Sequence, residues 1–361
     1  MKRIICFHLF NDFSGSPKIL KTVLQGMLDR NIEIDLITSG CGGILDELHG
    51  KGLRRFNYRY RFSTNKTITF IRYFKIQIYT FLLALRYSTK KDAVFYINTL
   101  LPIGPALAGR LMNKRVIYHY HENAFAKGVF YKILCCGMEL LANVVICVSD
   151  YQRSFLHRKE NVIVIPNAIP RTFIERLCPA PHVAFKRQKI MMLSSLKLYK
   201  GTLEFITLAK QMPEYGFTLI INDTQDAISK FKTDHDLTWS ENLEIHARQS
   251  DVAPFYNSSS MVLNLSNKKI VVETFGLTAL EAMSAGLPII VPTEGGIAEM
   301  VDNGVNGYKI DVQQLDKITT TIKEILTDQE LYCKLSTGAL NTAQHYSEHA
   351  MIEAIIAKLN K

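Results

Sequence analysis

Two glutamates with seven residues between them, Glu273 and Glu281, frame the stretch Glu-Thr-Phe-Gly-Leu-Thr-Ala-Leu-Glu, and Ala-Met-Ser-Ala-Gly-Leu-Pro follows directly. Gly276 breaks an apolar run and Leu277 to Ala285 has the pattern of a short helix. Gly286 marks its C-terminal stop and Pro288 lies just beyond. Glu273 then falls in the loop before the helix and Glu281 just inside it. A helix start attracts phosphate through amides that lack a carbonyl one turn earlier and through the positive end of the dipole. Carboxylates beside an anion site suit hydroxyls rather than the anion. Hydroxyls next to a diphosphate describe a nucleotide-sugar.

These groups need a scaffold that brings strand ends together. Short apolar runs that read as buried parallel strands lie at 4–9, 34–37, 94–97, 116–120, 144–148 and 162–165. They recur at 190–193, 218–221, 243–246, 261–265, 287–291 and 307–310. Segments of helical period separate them, the signature of doubly wound α/β domains. A seam falls near 168–188, where Pro170, Pro179 and Pro181 interrupt the periodicity. The expected organisation is an N-terminal domain over 1–170, a second domain over 186–340 and a closing helical segment over 341–361.

In open α/β sheets ligands bind beyond the carboxyl ends of the strands, so the residues just after each run matter most. After the first run, Ser16 suits a helix cap and Pro17 its first position. Gly15 either lets the backbone approach a phosphate or sugar, or serves a plain turn. His121 follows the fourth run, placed either to hydrogen-bond a transferred sugar or, like His119, to pack. Asn167 closes the sixth run as a turn residue at the seam. Lys197 and Lys200 occupy the turn that opens the second half. Beside Gly201 they either neutralise a diphosphate leaving group or form a solvated basic turn. Gly295 and Gly296 read as a tight strand-to-helix turn.

The chain of 361 residues can bury two cores, and its 47% hydrophobic and 21% charged residues suit a globular protein. No run of about 18 uncharged apolar residues occurs, so no membrane-spanning helix is expected. The basic N-terminus reaches Asn11 too soon for a secretory signal. Seven cysteines without a Cys-x-x-Cys pair read as reduced, buried thiols of a cytosolic protein. The net charge of +10 is uneven: residues 1–170 carry 24 Lys/Arg against 11 Asp/Glu, and the rest 19 against 22. Residues 48–91 hold eleven basic and ten aromatic residues and no acid. Within this block 56–62 alternates like a half-buried strand. Residues 67–86 have the period of a helix with Phe70, Phe74, Ile78, Phe81 and Leu82 along one side. Core packing would explain that side but not the uncompensated cations. A basic, aromatic surface suits an anionic bilayer, and no nucleic-acid-binding motif accompanies it.

In these residues the chain resembles the retaining glycosyltransferases of family 4, over essentially its whole length. The Glu-x7-Glu pair, in E-T-F-G-L-T-A-L-E-A-M-S-A-G-L-P, carries the resemblance. The stretches S-L-K-L-Y-K-G, V-I-P-N-A-I, P-T-E-G-G-I-A-E-M-V and V-D-N-G-V-N-G-Y support it. The resemblance implies the GT-B fold of two facing Rossmann-like domains with a cleft between them and a last helix crossing back to the first. It implies that Glu273 binds donor-sugar hydroxyls near the anomeric carbon and that Glu281 holds the ribose. Amides around Phe275, Gly276, Leu277 and Thr278 would meet the sugar and diphosphate. Lys200 would compensate the departing diphosphate, His121 would contact the donor sugar, and Gly15 corresponds to the glycine-bearing first loop. Two departures stand out. Ser194-Ser195-Leu196 replaces a frequent Gly-Arg-Leu, which leaves Lys197 in place of the missing arginine, and Ser14-Gly15-Ser16 replaces a frequent double glycine.

The expected protein is a retaining, metal-independent transferase at the cytoplasmic face of the cell membrane. It would move a hexose or N-acetylhexosamine from a nucleoside-diphosphate donor, UDP-linked, to a glycan or lipid-linked acceptor of a bacterial surface polysaccharide. No cofactor and no nucleic-acid partner are expected. Two rivals differ in kind. A GT-B nucleotide-sugar epimerase would convert the donor without an acceptor. A non-catalytic binder of anionic surfaces or nucleic acid would leave the paired glutamates without a purpose.

Overall fold

The computed structural model describes residues 3–40 and 42–360; the reading of Cys41 as a buried thiol, like residues 1, 2 and 361, lies outside the described residues. The chain divides into two compact units. The first runs to Asn167 and takes in the residues from Glu348 on, and the second is Ala168–Ser347.

The first unit holds seven strands: β1 (Arg3–Phe7), β2 (Ile34–Ser39), β3 (Leu53–Tyr58), β4 (Ala93–Asn98), β5 (Arg115–Tyr120), β6 (Val144–Cys147) and β7 (Val162–Val164). They pair in the order β3-β2-β1-β4-β5-β6-β7, all parallel, with Ile4 opposite both Ile34 and Val94. Strands buried on both faces have no polar alternation, which is why they appeared as continuous apolar runs. The second unit holds β8 (Lys189–Ser194), β9 (Gly216–Ile221), β10 (Leu243–His246), β11 (Met261–Leu263), β12 (Ile289–Val291) and β13 (Gly307–Lys309). Their order is β10-β9-β8-β11-β12-β13, again parallel. Both sheets therefore contain the 3-2-1-4-5-6 order of a dinucleotide-binding fold, and the strand order reverses between β1 and β4 and between β8 and β11. A switch point of this kind opens a crevice at the carboxyl ends of its strands.

The boundaries differ from the sequence reading. The seam follows Asn167 rather than residue 170, and residues 171–187 belong to the second unit as helices Arg171–Ile174 and Pro181–Arg187. Phe173 packs its ring on Tyr256, the Cys178 amide donates to Asn257 Oδ1 at 2.8 Å, and Arg176 pairs with Asp251 at 2.9 Å, which fixes that segment. Helix Gln329–Ala343 runs past residue 341 because Leu335 and Ala339 are buried, and the closing helix is Glu348–Asn360. The closing helix docks in the first unit. Ile352 lies against Gly26, where a Cβ would overlap it, and Arg30 pairs with Glu353 at 2.8 Å. Helix Gly15–Leu28 starts at Gly15 with Ser14 in the cap position, so Ser16 is not the cap and Pro17 is its third residue.

The acid-free block forms edge strand β3 and then helix Lys66–Leu85, capped by the Asn65 side chain on the amides of Thr67 and Ile68. Its buried residues are Tyr73, Gln77, Thr80, Leu83 and Ala84, whereas Phe70, Phe74, Ile78 and Leu82 are exposed. The apolar stripe thus faces away from the core. The Gln77 side chain accepts from the Gly104 amide and Tyr73 donates to the Leu101 carbonyl, so the polar stripe is the one that docks. Contrary to the sequence reading, this helix is long and apolar enough to cross a membrane by length and composition, although here it packs against helix Ile103–Leu111. The thiols also depart from expectation: Cys6, Cys135 and Cys147 are buried, but Cys136 and Cys178 are exposed and Cys333 is half-buried.

Candidate functional site

The second switch point gathers the residues the sequence singled out. The turn after β8 carries Lys197 and Lys200, and the segment after β11 carries Ser266 and Glu273. Lys200 Nζ is paired with Glu273 Oε1, and the Ser266 hydroxyl donates to the same oxygen at 3.0 Å. Burial opposes charge on both partners, but their attraction prevails: Glu273 sits below the usual carboxylate range and Lys200 above the usual ammonium value. The side chains keep 21% and 28% exposure, enough for a ligand to reach them. Lys200 is not free to act as a phosphate clamp alone. Lys197 has no ion-pair partner among the described residues, and its ammonium stands 5.9 Å from the Tyr199 ring.

Helix Leu277–Ser284 begins immediately after, with Gly276 at φ 103° in its cap position. A side chain there would meet Ile297 at 2.5 Å, so only glycine lets the helix start this close to the next loop. Leu277 and Thr278 open the helix with amides that have no carbonyl one turn earlier. Phe275 is buried, with its ring 5.8 Å from Tyr346. Glu281 sits one turn into the helix and accepts from the Tyr256 hydroxyl at 2.6 Å. The turn after β12 braces the arrangement. The Gly296 amide donates to the Glu273 carbonyl at 2.9 Å, and a Cβ on Gly295 (φ 112°) would lie 2.5 Å from that oxygen. The double glycine is therefore a close approach to Glu273, as well as a turn.

The first unit has a polar cluster at its own switch point. His121, following β5, bonds through Nε2 to Asn98 Oδ1 at 3.0 Å, and Asn98 Nδ2 lies 3.1 Å from His8 Nδ1. Asn98 can satisfy both only if its amide donates to His8 and its carbonyl accepts from His121, which places the His121 proton on Nε2. His119 stacks 4.1 Å from His121 and takes the Tyr96 hydroxyl at 2.7 Å. Burial lowers all three histidines, to about 4 for His8, to about 3 for His119, and well below the ordinary value for His121, where the other two add to it. They are neutral at pH 7. Glu122 turns inward, accepting from the Leu100 amide at 3.1 Å, and joins the loops after β4 and β5. Next to Asn98, Thr99 adopts φ 73°, a conformation β-branched residues avoid, held by its amide bonding to the His119 carbonyl at 2.9 Å.

Glu273, Lys200, Lys197, Gly276, Leu277, Thr278 and Glu281 thus come together in the second unit, and His121 stands in the first-unit cluster. Gly15 is the first residue of its helix and has no positive φ. Sequence reasoning missed His8, Asn98, Ser266 and Tyr256. The first three directly follow β1, lie at the end of β4 and follow β11, so inspecting every strand end would have found them. Tyr256, on helix Ala253–Asn257, left no such signal. An Asp-x-Asp triplet, Asp234-His235-Asp236, ends helix Gln225–Asp234, but Asp234 pairs with Lys230 at 3.1 Å. No group of three His, Cys, Asp or Glu side chains is gathered for a metal among the described residues.

Two parallel sheets of this order, one with cations and carboxylates at its switch point, define the GT-B class of α/β fold. Family profiles agree: "Glycosyltransferase Family 4" matches residues 13–173 and "Glycosyl transferases group 1" matches 180–342. The chain belongs to this family of GT-B glycosyltransferases. A sucrose synthase of Beta vulgaris is 39% identical over 88 residues, 22% of this chain and 12% of its own. A poly(glycerol-phosphate) alpha-glucosyltransferase of Bacillus subtilis (strain 168) is 24% identical over 248 residues, 67% of this chain and 36% of its own. The chain spans about a third or less of the length of these curated relatives. Among solved structures, Anabaena HepE in complex with UDP-glucose superposes with a TM-score of 0.78 at 18% identity, covering all of both chains. Sucrose-phosphate synthase from Thermosynechococcus elongatus gives a TM-score of 0.78 at 14% identity, covering 100% of this chain and 98% of its own.

Proposed function

We propose that the protein transfers a hexose or N-acetylhexosamine from a UDP-linked donor, with retention of configuration and without a metal, to a glycan or lipid-linked acceptor. The observation that carries this reading is the Lys200–Glu273–Ser266 cluster beside the opening of helix Leu277–Ser284. Glu273 accepts hydrogen bonds from donor-sugar hydroxyls while Lys200 keeps it ionised. Lys197, the remaining Lys200 protons and the amides of Leu277 and Thr278 stabilise charge on the departing diphosphate. In front-face substitution the bond from the anomeric carbon to the phosphate oxygen breaks. The acceptor oxygen bonds to the same face, and its proton passes to the leaving diphosphate. Glu281, aligned by Tyr256, holds the ribose. His121, neutral and held through Nε2 by Asn98, contacts the donor sugar.

The Anabaena neighbour in complex with UDP-glucose supports UDP as the carrier, and the Bacillus relative, a poly(glycerol-phosphate) alpha-glucosyltransferase, is consistent with an acceptor that carries phosphate. Peripheral contact with the inner face of a bacterial membrane also belongs to this reading. Helices Lys66–Leu85, Ile103–Leu111 and Val129–Leu141 expose Phe70, Phe74, Ile78, Leu111 and Ile133. Their single acid, Glu139, is buried on the amides of His157 and Arg158. Exposed apolar side chains on helices whose remaining charges are basic match an anionic bilayer.

Thermal midpoints with UDP, GDP, ADP and their sugar conjugates test the donor site, since a ligand at a hundred times its Kd stabilises by about 2.7 kcal/mol. UDP and a UDP-hexose should raise the midpoint most. A protein indifferent to every nucleotide would overturn the proposal. Donor incubated alone must yield no isomer, and the anomeric configuration of the product, read by NMR, tests retention.

A further inference from the structure

The carboxyl ends of β1, β2 and β3 enclose a cavity of about 620 Å³ lined by Phe10, Gly40, Arg59, Tyr60, Arg61 and Phe62. This volume is typical of small-ligand sites, and the cavity lies at the carboxyl ends of the strands, on the β2–β3 side of the switch point between β1 and β4. Its walls have two chemistries. Phe10, Tyr60 and Phe62 form a closed aromatic triangle with centroids 4.9, 5.3 and 6.2 Å apart, and Phe62 is 57% exposed. Arg59 and Arg61 are exposed, and neither has an ion-pair partner among the described residues. The other exposed arginine of this edge, Arg54, is instead paired with Asp35 at 2.6 Å.

The backbone of this rim is fixed. Arg72 donates to the Arg61 carbonyl at 3.1 Å, Thr69 holds Ser63 from both sides, and the Gly40 amide bonds to the Tyr58 carbonyl at 3.0 Å. The Tyr58 hydroxyl donates to the Leu9 carbonyl at 2.8 Å and so ties the end of β3 to that of β1. The cavity is a built recess with cations on its edge and aromatic faces within. Guanidinium forks match phosphate oxygens in pairs. Aromatic faces suit the C–H face of a sugar or polyol.

We infer that this cavity binds the acceptor and that the acceptor carries a phosphate group next to its sugar or polyol, held by Arg59 and Arg61. The inference rests on the transfer reading above and adds the chemical class of the acceptor to it. Lipid phosphates and soluble polyol phosphates share this chemistry.

Calorimetric titration of the UDP-saturated protein with octyl phosphate, with sn-glycerol 3-phosphate and with octyl glucoside tests it. At least one phosphate probe should bind, and the uncharged glucoside should bind at least tenfold more weakly. Arg59→Ala and Arg61→Ala should each weaken the phosphate probe about tenfold. Tighter binding of octyl phosphate assigns a lipid phosphate, and tighter binding of glycerol phosphate assigns a soluble one. Both side chains are exposed, so the variants keep the fold, checked by circular dichroism. A protein that binds UDP but neither phosphate probe, or a double variant that binds them undiminished, overturns the inference. Loss of UDP binding in the wild type would instead overturn the donor reading.

Discussion

The buried His8 and His119 of the first unit, with the half-buried His121, make its stability depend on pH in a window where few other groups titrate. Each is held neutral by burial, with folded values of about 4 for His8, about 3 for His119 and well below 6.5 for His121. A depressed folded pKa means that the unfolded chain binds the proton first. Stability is therefore complete above pH 6.5 and falls as the pH drops toward the folded values. Between pH 7 and 5.5 His8 and His119 each remove about 1.2 kcal/mol, so the two together remove roughly 2.5 kcal/mol of a typical 5–15 kcal/mol, and His121 acts in the same direction. The single tryptophan, Trp239, lies in the second unit and does not report on the first. Hydrogen exchange of β4 and β5 peptides, corrected for intrinsic rates, does report on it. Near pH 5.5 the opening free energy should fall with acid at a slope of about two protons or more, and His119→Gln should lower that slope by about one. A flat profile, or imidazole resonances of His8 and His119 titrating near pH 6.5 in the folded protein, would refute the reasoning.

Glu273→Gln should lower transfer at least a hundredfold, of the order lost when a transition-state contact is removed, while UDP affinity by calorimetry changes less than threefold. Tyr256→Phe removes the hydrogen bond to Glu281 and should weaken UDP about tenfold in the same assay. Gly295→Ala forces a Cβ against the Glu273 carbonyl at positive φ, and Trp239 fluorescence during urea unfolding should show a loss of roughly 2 kcal/mol. Phe74→Ser and Ile78→Ser alter side chains outside the core, so they should leave thermal midpoints unchanged. They should abolish sedimentation with phosphatidylglycerol vesicles at low salt.

The strands were legible because parallel sheets buried on both faces write uninterrupted apolar runs, and all twelve such runs became strands. The Glu273–Glu281 spacing was legible because a glycine at each end bounds one short helix. Partnerships were not legible. Nothing in Ser194-Ser195-Leu196-Lys197 says that Lys200, and not Lys197, meets Glu273, because contacts between residues 73 positions apart depend on how β8 and β11 are neighboured. The Lys66–Leu85 helix shows what periodicity withholds: it gives a helix two faces but not which one is inside, and only the uncompensated cations argued against burying the apolar side. Gln77 and Tyr73 dock because Gly104 and Leu101 offer them hydrogen bonds, and the greasier stripe is left outside.

Since the chain leaves the first unit after Asn167 and re-enters it at Glu348, the second unit is an insertion in the first. Synthesis proceeds from the N-terminus, so the inserted unit is complete as soon as Ser347 emerges. The earlier-made unit must wait for the segment that covers Gly26 and pairs with Arg30. A ribosome-bound nascent chain would thus hold a finished second unit and an unfinished first one, and a stop codon at 348 would leave that state permanent.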